Sequence, residues 1–516
     1  MTFSYKNKII FLLIVLFVIN IQPVYAHGFG EKYNLPIPLW LYIYGGGASV
    51  ALSFILIGLF VKIAPGIKTY PKINLLKFRY FYIIANRYTT YFLKISSSIM
   101  LILLVLAGLF GNQNPFGNIT PTFVWIIWWV GIAYISALIG NIWLLINPWR
   151  NIFTLFEYIH NTVTNKKDET PRLILPSHLG VWPGVVLFFI FSWFELIYPT
   201  SYLPRTIAYL IVLYSIITWS GMYIIGKNQW TLHCDPFSIA FHFLSKFSPL
   251  EIGSKNTTFC AQCTECHEQK DYCIDCHNCF SISTNSDRQI NMRPYGVGLL
   301  ANQDVDPSKM SFVLLLLAVV TFDGFTATPL WASILTSMFD TFSLLFGRNA
   351  IIAINSVGLL IFPIIFYITY WGFCRIMAYL SIPDVSVNNI CRLFIYSLIP
   401  IALAYHLSHY LTYILIQGQL IIPLISDPLG LEWNLFNTKH YEVNTYIVGP
   451  RFTWITSVIS IVAGHIIAVY VAHIVALKNI NNRSKALISQ YPLLVLMVGY
   501  TTISLWIIAQ PIVERS

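Results

Sequence analysis

Runs of about 20 apolar residues, separated by short polar stretches, recur from residue 38 to residue 512. Each is long enough to carry a helix across a hydrocarbon core of ~30 Å. Ten such spans are predicted, at 38–61, 92–111, 121–145, 179–197, 206–226, 311–331, 351–373, 394–416, 452–476 and 493–512. The expected fold class is therefore all-α, a polytopic membrane bundle. A shorter run precedes them. Lys6 and Lys8 lead into Ile9–Asn20, and Val24-Tyr25-Ala26 stand just before His27. A basic start, about a dozen apolar residues and a small residue at the cut are the marks of a secretory signal peptide over 1–26. The remaining chain divides into spans one to five (27–226), a polar loop (227–310) and spans six to ten (311–516).

Composition agrees with this pattern. Of 516 residues, 56% are hydrophobic and only 10% charged, against about 25% charged in soluble domains. The formal net charge of +10 changes the picture by sidedness, because short cytoplasmic loops retain Lys and Arg. With His27 outside, the inner segments hold 23 of the 31 Lys and Arg, the outer segments 6 and the signal peptide 2. The expected placement is the cytoplasmic (inner) membrane, with the mature N-terminus and the C-terminus on the periplasmic or outer side.

The loop 227–310 then lies inside. It carries "CAQCTECHEQKDYCIDCHNC", with Cys260, Cys263, Cys266, Cys273, Cys276 and Cys279. Two strings, Cys263-Thr-Glu-Cys266-His267 and Cys273-Ile-Asp-Cys276-His277, match haem-attachment motifs, but haem c is attached outside the cytoplasm, so none is expected. Paired C-x-x-C turns supply the four thiolates of a zinc site. A ferredoxin-type iron–sulfur cluster is the alternative, although the usual fourth cysteine three residues on is absent from both triads. Cys234 could serve such a cluster from a distance. The segment "DPFSIAFHFLSKFSPL" (235–250) has helical apolar spacing and is expected on the membrane surface.

Ionisable residues inside spans are costly and mark candidate sites. His406 and His409 sit one turn apart on one face of span eight, His465 and His473 lie on span nine, and Asp323 is near the middle of span six. An i, i+3 imidazole pair can hold one metal or relay protons. Asp323, His406 and His409 are the candidate catalytic residues, with His406 and His409 also candidate metal ligands. His465 and His473 are candidate cofactor ligands. A stacked pair of b haems is disfavoured by the spacing, and hydrogen bonds gluing helices together are the structural alternative. Asp323, followed by Gly324 and Pro329, points to a break in its helix. His27, if it begins the mature chain, could chelate copper through amine and imidazole, with His440 as a second ligand.

The stretches "HGFGEKYNLPIPLWLY", "TFVWIIWWVGIAYISALIGNIWLLINPWR", "SLIPIALAYHLSHYLTYILIQGQ" and "SLWIIAQPIVE" resemble a bacterial multi-pass membrane family, some of whose members are described as fenitrothion hydrolases. The resemblance covers the mature chain outside the cysteine loop, including His406, His409 and Asp323. It implies a membrane fold and an organophosphate-hydrolase-like activity, and carries over no catalytic residue.

Three function classes follow. The first is a metal-binding enzyme or redox component, with phosphotriester hydrolysis through metal-bound water as one activity. The second is a transporter or channel for a small solute or metal ion. The third is a subunit or assembly factor without chemistry. The bilayer is the expected partner, with a membrane or periplasmic protein as a candidate second; nucleic acid is excluded for lack of a soluble basic domain.

Overall fold

The computed structural model describes residues 27–28, 31–32, 38–62, 70–79, 81, 86–164, 173–255, 273–275, 279–280, 283–284, 287–300, 305–381, 385–480 and 482–510. The proposed signal peptide, Cys260, Cys263, Cys266 and Cys276 lie outside the described residues, as do the side chains of His27 and Cys273. The fold is all-α. Among the described residues, ten helical stretches are long and apolar enough to cross a membrane, one for each predicted span, and this is a multi-pass membrane protein.

The chain divides into two compact units. In the first (1–64, 316–411 and 448–516), α1 (Leu39–Phe60) packs against the two last long helices of the chain, Pro450–Asn479 and Arg483–Ala509. Ile43, Ile461 and Leu505 form a fully buried seam there. In the second (65–315 and 412–447), α2 (Arg87–Phe110) lies against Pro204–Ile225.

Several boundaries differ from expectation. Span three, α3 (Ile119–Leu138), ends seven residues early, before a turn at Gly140-Asn141. Its middle, Thr122–Gly131, winds as a π-helix, and the Ile132 N–H is shared between the Trp128 and Trp129 carbonyls. An amphipathic helix, α4 (Pro148–Thr164), follows, then α5 (Trp182–Leu196), α6 (Pro204–Ile225) and α7 (Lys227–His233).

The helix over 235–250, α8 (Pro236–Ser245), is not a surface element. Phe237, Ile239, Phe241, Phe243 and Leu244 are all buried, because both of its faces are covered, by α3 and by α5. Apolar spacing identified the helix, and only packing decided what covers it. Burial, and then the ammonium groups of Lys246 and Lys309, push the His242 imidazole on this helix well below its usual range. As pH falls below the ordinary imidazole value of about 6.5, the unfolded chain takes a proton there that the folded chain refuses. Stability should therefore decline on acidification through that point. A thermal midpoint measured against pH should fall less steeply in His242→Gln, and identical slopes would remove His242 from the account.

After α8 the chain forms most of a small sheet. β1 (His27–Gly28) and β2 (Glu31–Lys32) pair with each other, whereas β3 (Ile73–Asn74), β4 (Leu250–Ser254), β5 (Cys273–Ile274) and β6 (Arg288–Met292) make a second sheet in the order β3-β6-β4-β5. β5 begins at Cys273, the first member of the second cysteine triad, and is paired to β4 at Gly253 and Ser254. Beside it, Arg293 bridges Glu251 and Asp275 at 3.0 Å each, with Glu251 and Arg293 both buried. Although burial opposes its charge, the Asp275 and Glu251 carboxylates hold the Arg293 guanidinium protonated beyond its usual range. Breaking such a buried pair costs about 3–5 kcal/mol, so the polar loop has a fixed base.

The chain continues through α9 (Pro307–Thr326), α10 (Pro329–Phe346), α11 (Ala350–Ser381), α12 (Val387–Phe394), α13 (Ile399–Ile416), α14 (Ile421–Ser426), α15 (Pro450–Asn479) and α16 (Arg483–Ala509). α10 fills what the spacing left as a connection between spans six and seven. Asp340 and its Ser and Thr residues dilute the apolar signal, and the helix packs along α11. Span ten starts ten residues earlier than expected, at Arg483, and takes Pro492 within the helix.

Candidate functional site

Asp323 lies in the last turn of α9. The helix stops at Thr326 and a new one begins at Pro329, with the Thr328 hydroxyl accepting from the Trp331 N–H. The expected break is there, set by Gly324 and by a proline at the first position of α10. A carboxylate at a helix C-terminus faces the negative end of the macrodipole, so its charge must be met by donors.

α13 supplies them. His409 Nε2 lies 2.9 Å from Asp323 Oδ2, and the Tyr410 hydroxyl donates to the same oxygen at 2.7 Å. Neither partner is sealed in, since His409 and Asp323 keep 24% and 16% of their surface. A proton or small ligand can therefore reach the pair. The ring of His409 stacks on Tyr405 (centroids 6.1 Å, planes 20° apart) and meets Tyr410 edge-on at 4.7 Å. His406, one turn back and buried, packs its ring 4.8 Å from that of Tyr410. Tyr405 itself is fully buried against Val320 and Ile507. A Cβ at Gly324 would come within hard contact of the Tyr405 hydroxyl, so the glycine lets this aromatic wall close on the carboxylate.

The arrangement is a carboxylate–imidazole–phenol cluster. The carboxylate fixes the ring of His409 and turns its other nitrogen, Nδ1, away. Such a group can take a proton at Nδ1 and pass one from Nε2 to the carboxylate. Tyr410 is the member that spacing alone missed. Its one available signal is position, next to His409 and four residues after His406.

The other candidates separate. His465 is buried and its Nδ1 donates to the Ile461 carbonyl of its own helix, α15. His473 sets Nδ1 3.1 Å from Gln490 Oε1 on α16 and Nε2 3.0 Å from the Val61 carbonyl after α1. It is an interhelical cross-link. Neither residue hydrogen-bonds to Asp323. His440 is exposed in the 417–451 segment. Cys374 and Cys391 are small buried groups. Cys279 is fully buried, and the Ser283 hydroxyl donates to its carbonyl. Burial, and then the Asp235 carboxylate, push the Cys234 thiol up to about 12, so Cys234 is not offered as a thiolate. Among the described residues no three His, Cys, Asp or Glu side chains come together as a metal site.

No family model, curated protein or solved structure matches this chain.

The second unit holds a buried carboxylate that the sequence reading passed over. Asp235 caps α8, accepting from the Phe237 and Ser238 N–H groups, and is also met by Ser238 Oγ (2.6 Å), Tyr214 OH (2.7 Å) and Asn147 Nδ2 (3.1 Å). Burial raises its carboxyl above the usual range, and those donors oppose the rise. An Asp-Pro pair opening a helix was the available signal. Five donors on one carboxyl make it a structural hub.

Proposed function

We propose that the protein is a proton-coupled membrane carrier for a small solute, with Asp323, His409 and Tyr410 as its proton-handling centre. One observation carries this reading: two donors from one helix converge on a single carboxylate oxygen at a helix break inside the span bundle. Intramembrane carboxylate–histidine pairs suit proton relays, and helix breaks at membrane depth suit solute paths. Protonation of His409 would turn a hydrogen bond into an ion pair, and protonation of Asp323 would release Tyr410, giving the centre two arrangements. Infrared difference spectra of the reconstituted protein should contain a pH-dependent carboxylic C=O band that Asp323→Asn removes. A spectrum in which that substitution changes no titrating band defeats the relay.

A second reading, a metal-dependent hydrolase or redox component, is favoured by the same pair in another way. Metal-ligating histidines commonly give their outer N–H to a carboxylate, as His409 does to Asp323, and His406 stands one turn away. The resemblance to the fenitrothion hydrolase family supports it, with phosphotriester hydrolysis as the activity. Zinc held by the cysteine loop (an iron–sulfur cluster being the alternative) and copper at His27 belong to this reading too. Metal analysis and an absorption spectrum of the purified protein separate it from the first.

For sidedness we propose the inner membrane, both mature termini outside and the cysteine loop in the cytoplasm. α10 bears on this. If it crossed the membrane, every later connection would change sides, and Arg375, Arg392, Lys478, Arg483 and Lys485 would all face outwards. The positive-inside bias supports an α10 that stays on one side.

A further inference from the structure

Three cations of the second unit stand close together. Lys94 lies near the start of α2, Arg150 in the first turn of α4 and Lys227 at the start of α7. An Arg150 N–H donates to Asn228 Oδ1 at 3.0 Å, which ties α4 to α7. Asn151 Nδ2 lies 3.5 Å from Ser97 Oγ, which sets α4 beside α2 one turn past Lys94. The charges of Arg150 and Lys227 both act on the Lys94 ammonium. All three side chains keep part of their surface exposed. Glu157 pairs with Lys227 at 2.5 Å, and among the described residues no carboxylate is ion-paired with Lys94. Three cations around one carboxylate leave an excess of positive charge, and like charges held together repel. A bound anion would relieve that repulsion.

The cluster stands at the depth of lipid headgroups. α4 exposes Leu155, Phe156, Ile159 and Val163 along one face, the pattern of a helix lying in the plane of the membrane interface. Beside the cluster, α2, α3, α5 and α6 line a cavity of about 230 Å³ with an almost wholly apolar wall. It exceeds the cavity of about 150 Å³ that suffices for a benzene-sized guest. Ser97 and Met100, three and six residues past Lys94 on α2, belong to its wall, and so does Trp149, next to Arg150. Leu213 and Ile217, also in the wall, are exposed on α6, a helix of membrane-spanning length. The chamber is therefore reached from the acyl region of a bilayer.

We propose that the cluster and the chamber together hold one anionic phospholipid, its phosphate among Lys94, Arg150 and Lys227 and one acyl chain inside the apolar chamber. The charge excess selects a headgroup with net negative charge, and a guanidinium matches phosphate oxygens in pairs. Lys94, Arg150 and Lys227 all fall in segments proposed to be cytoplasmic, the side on which basic pockets between membrane helices hold anionic headgroups. The site lies wholly in the second unit and does not depend on the carrier reading.

The test uses the full-length protein, delipidated in detergent and returned to nanodiscs holding equal amounts of dioleoyl phosphatidylglycerol and dioleoyl phosphatidylcholine. Lipid that stays with the protein on release is counted by native mass spectrometry. The wild type should keep about one phosphatidylglycerol per chain in preference to phosphatidylcholine. Lys94→Gln and Arg150→Gln should each weaken that retention about fivefold, and about 20-fold together, whereas Lys94→Arg should keep it. Met100→Trp, which fills the chamber one turn past Ser97, should also lower phosphatidylglycerol retention while the protein elutes as wild type. Glycerol phosphate, the same anion without chains, should not displace the lipid at equal concentration. Equal retention of the two lipids, or phosphatidylglycerol retention unchanged in the double Gln variant, overturns the proposal. Displacement by glycerol phosphate overturns it in favour of a small phosphate, and unchanged retention in Met100→Trp removes the chain from the chamber and overturns it too. If Met100→Trp does not fold, the Gln variants at partly exposed positions and the glycerol phosphate competition decide by the same criteria.

Discussion

Asp323→Asn is expected to abolish the protein's function while leaving it in the membrane. The amide oxygen can still accept from both donors, but it does not carry the negative charge that His409 and Tyr410 converge on at 2.9 and 2.7 Å. Its own N–H₂ would also have to be accommodated where the second carboxylate oxygen stood. The stability cost should be modest, about 1–3 kcal/mol for the mismatched buried group. The loss of activity should be larger, about 100-fold or more, as befits a proton-transfer group. Two companion variants dissect the effect. Tyr410→Phe removes one donor and should cost about 1 kcal/mol of stability with partial activity. His409→Ala should match Asp323→Asn in activity. If His409 merely glued helices, its loss would cost about 1 kcal/mol, and activity would track the amount of folded protein. Activity per folded molecule unchanged in either His409→Ala or Asp323→Asn would falsify the assignment.

Gly464→Leu should unfold the first unit. A Cβ at this position would lie 2.4 Å from Ala404 Cβ and 2.7 Å from the Pro400 carbonyl oxygen, so α15 and α13 meet there backbone to backbone. Small residues permit that approach between membrane helices. Lower on the same interface, Ser408 Oγ donates to the Ser457 carbonyl at 3.2 Å and Ser457 Oγ to the Ser408 carbonyl at 3.4 Å. A leucine cannot move Pro400, so the helices must part and both serine bonds must lengthen. About 3 kcal/mol or more is expected, and Ser408 adjoins His409, so the residual activity should fall further than the residual fold. A thermal unfolding scan in detergent checks the first claim, and an unchanged midpoint refutes the close contact. Gly372, where an added Cβ would meet nothing within 4 Å, is the control position.

The candidate site was partly legible in the sequence. An ionisable residue in a hydrocarbon-length run is conspicuous because water is excluded there, so Asp323, His406 and His409 stood out at once. Which of them share a hydrogen bond was not legible. His465 looked equivalent to His409 on paper, yet it bonds within its own helix, and His473 ties α15 to α16 and to the end of α1. Tyr410 carried no signal beyond its position beside His409, because a tyrosine in a span is ordinary until its hydroxyl is seen to meet a carboxylate.

What the sequence determined by itself was the number of apolar spans and the all-α class, because hydropathy over about 20 residues is a local sum that needs no knowledge of neighbours. It also determined the helix break after Asp323, since Gly324 and Pro329 act through their own backbones. The tertiary structure alone decided what each face touches. It put α8 inside the second unit rather than at its surface, and it stretched the middle of α3 into a π-helix. It also chose Asp323, among the polar groups available, as the partner of His409 and Tyr410. Those outcomes depend on residues far apart in the chain meeting at distances of a few ångströms, and no periodicity within a single segment encodes such a meeting.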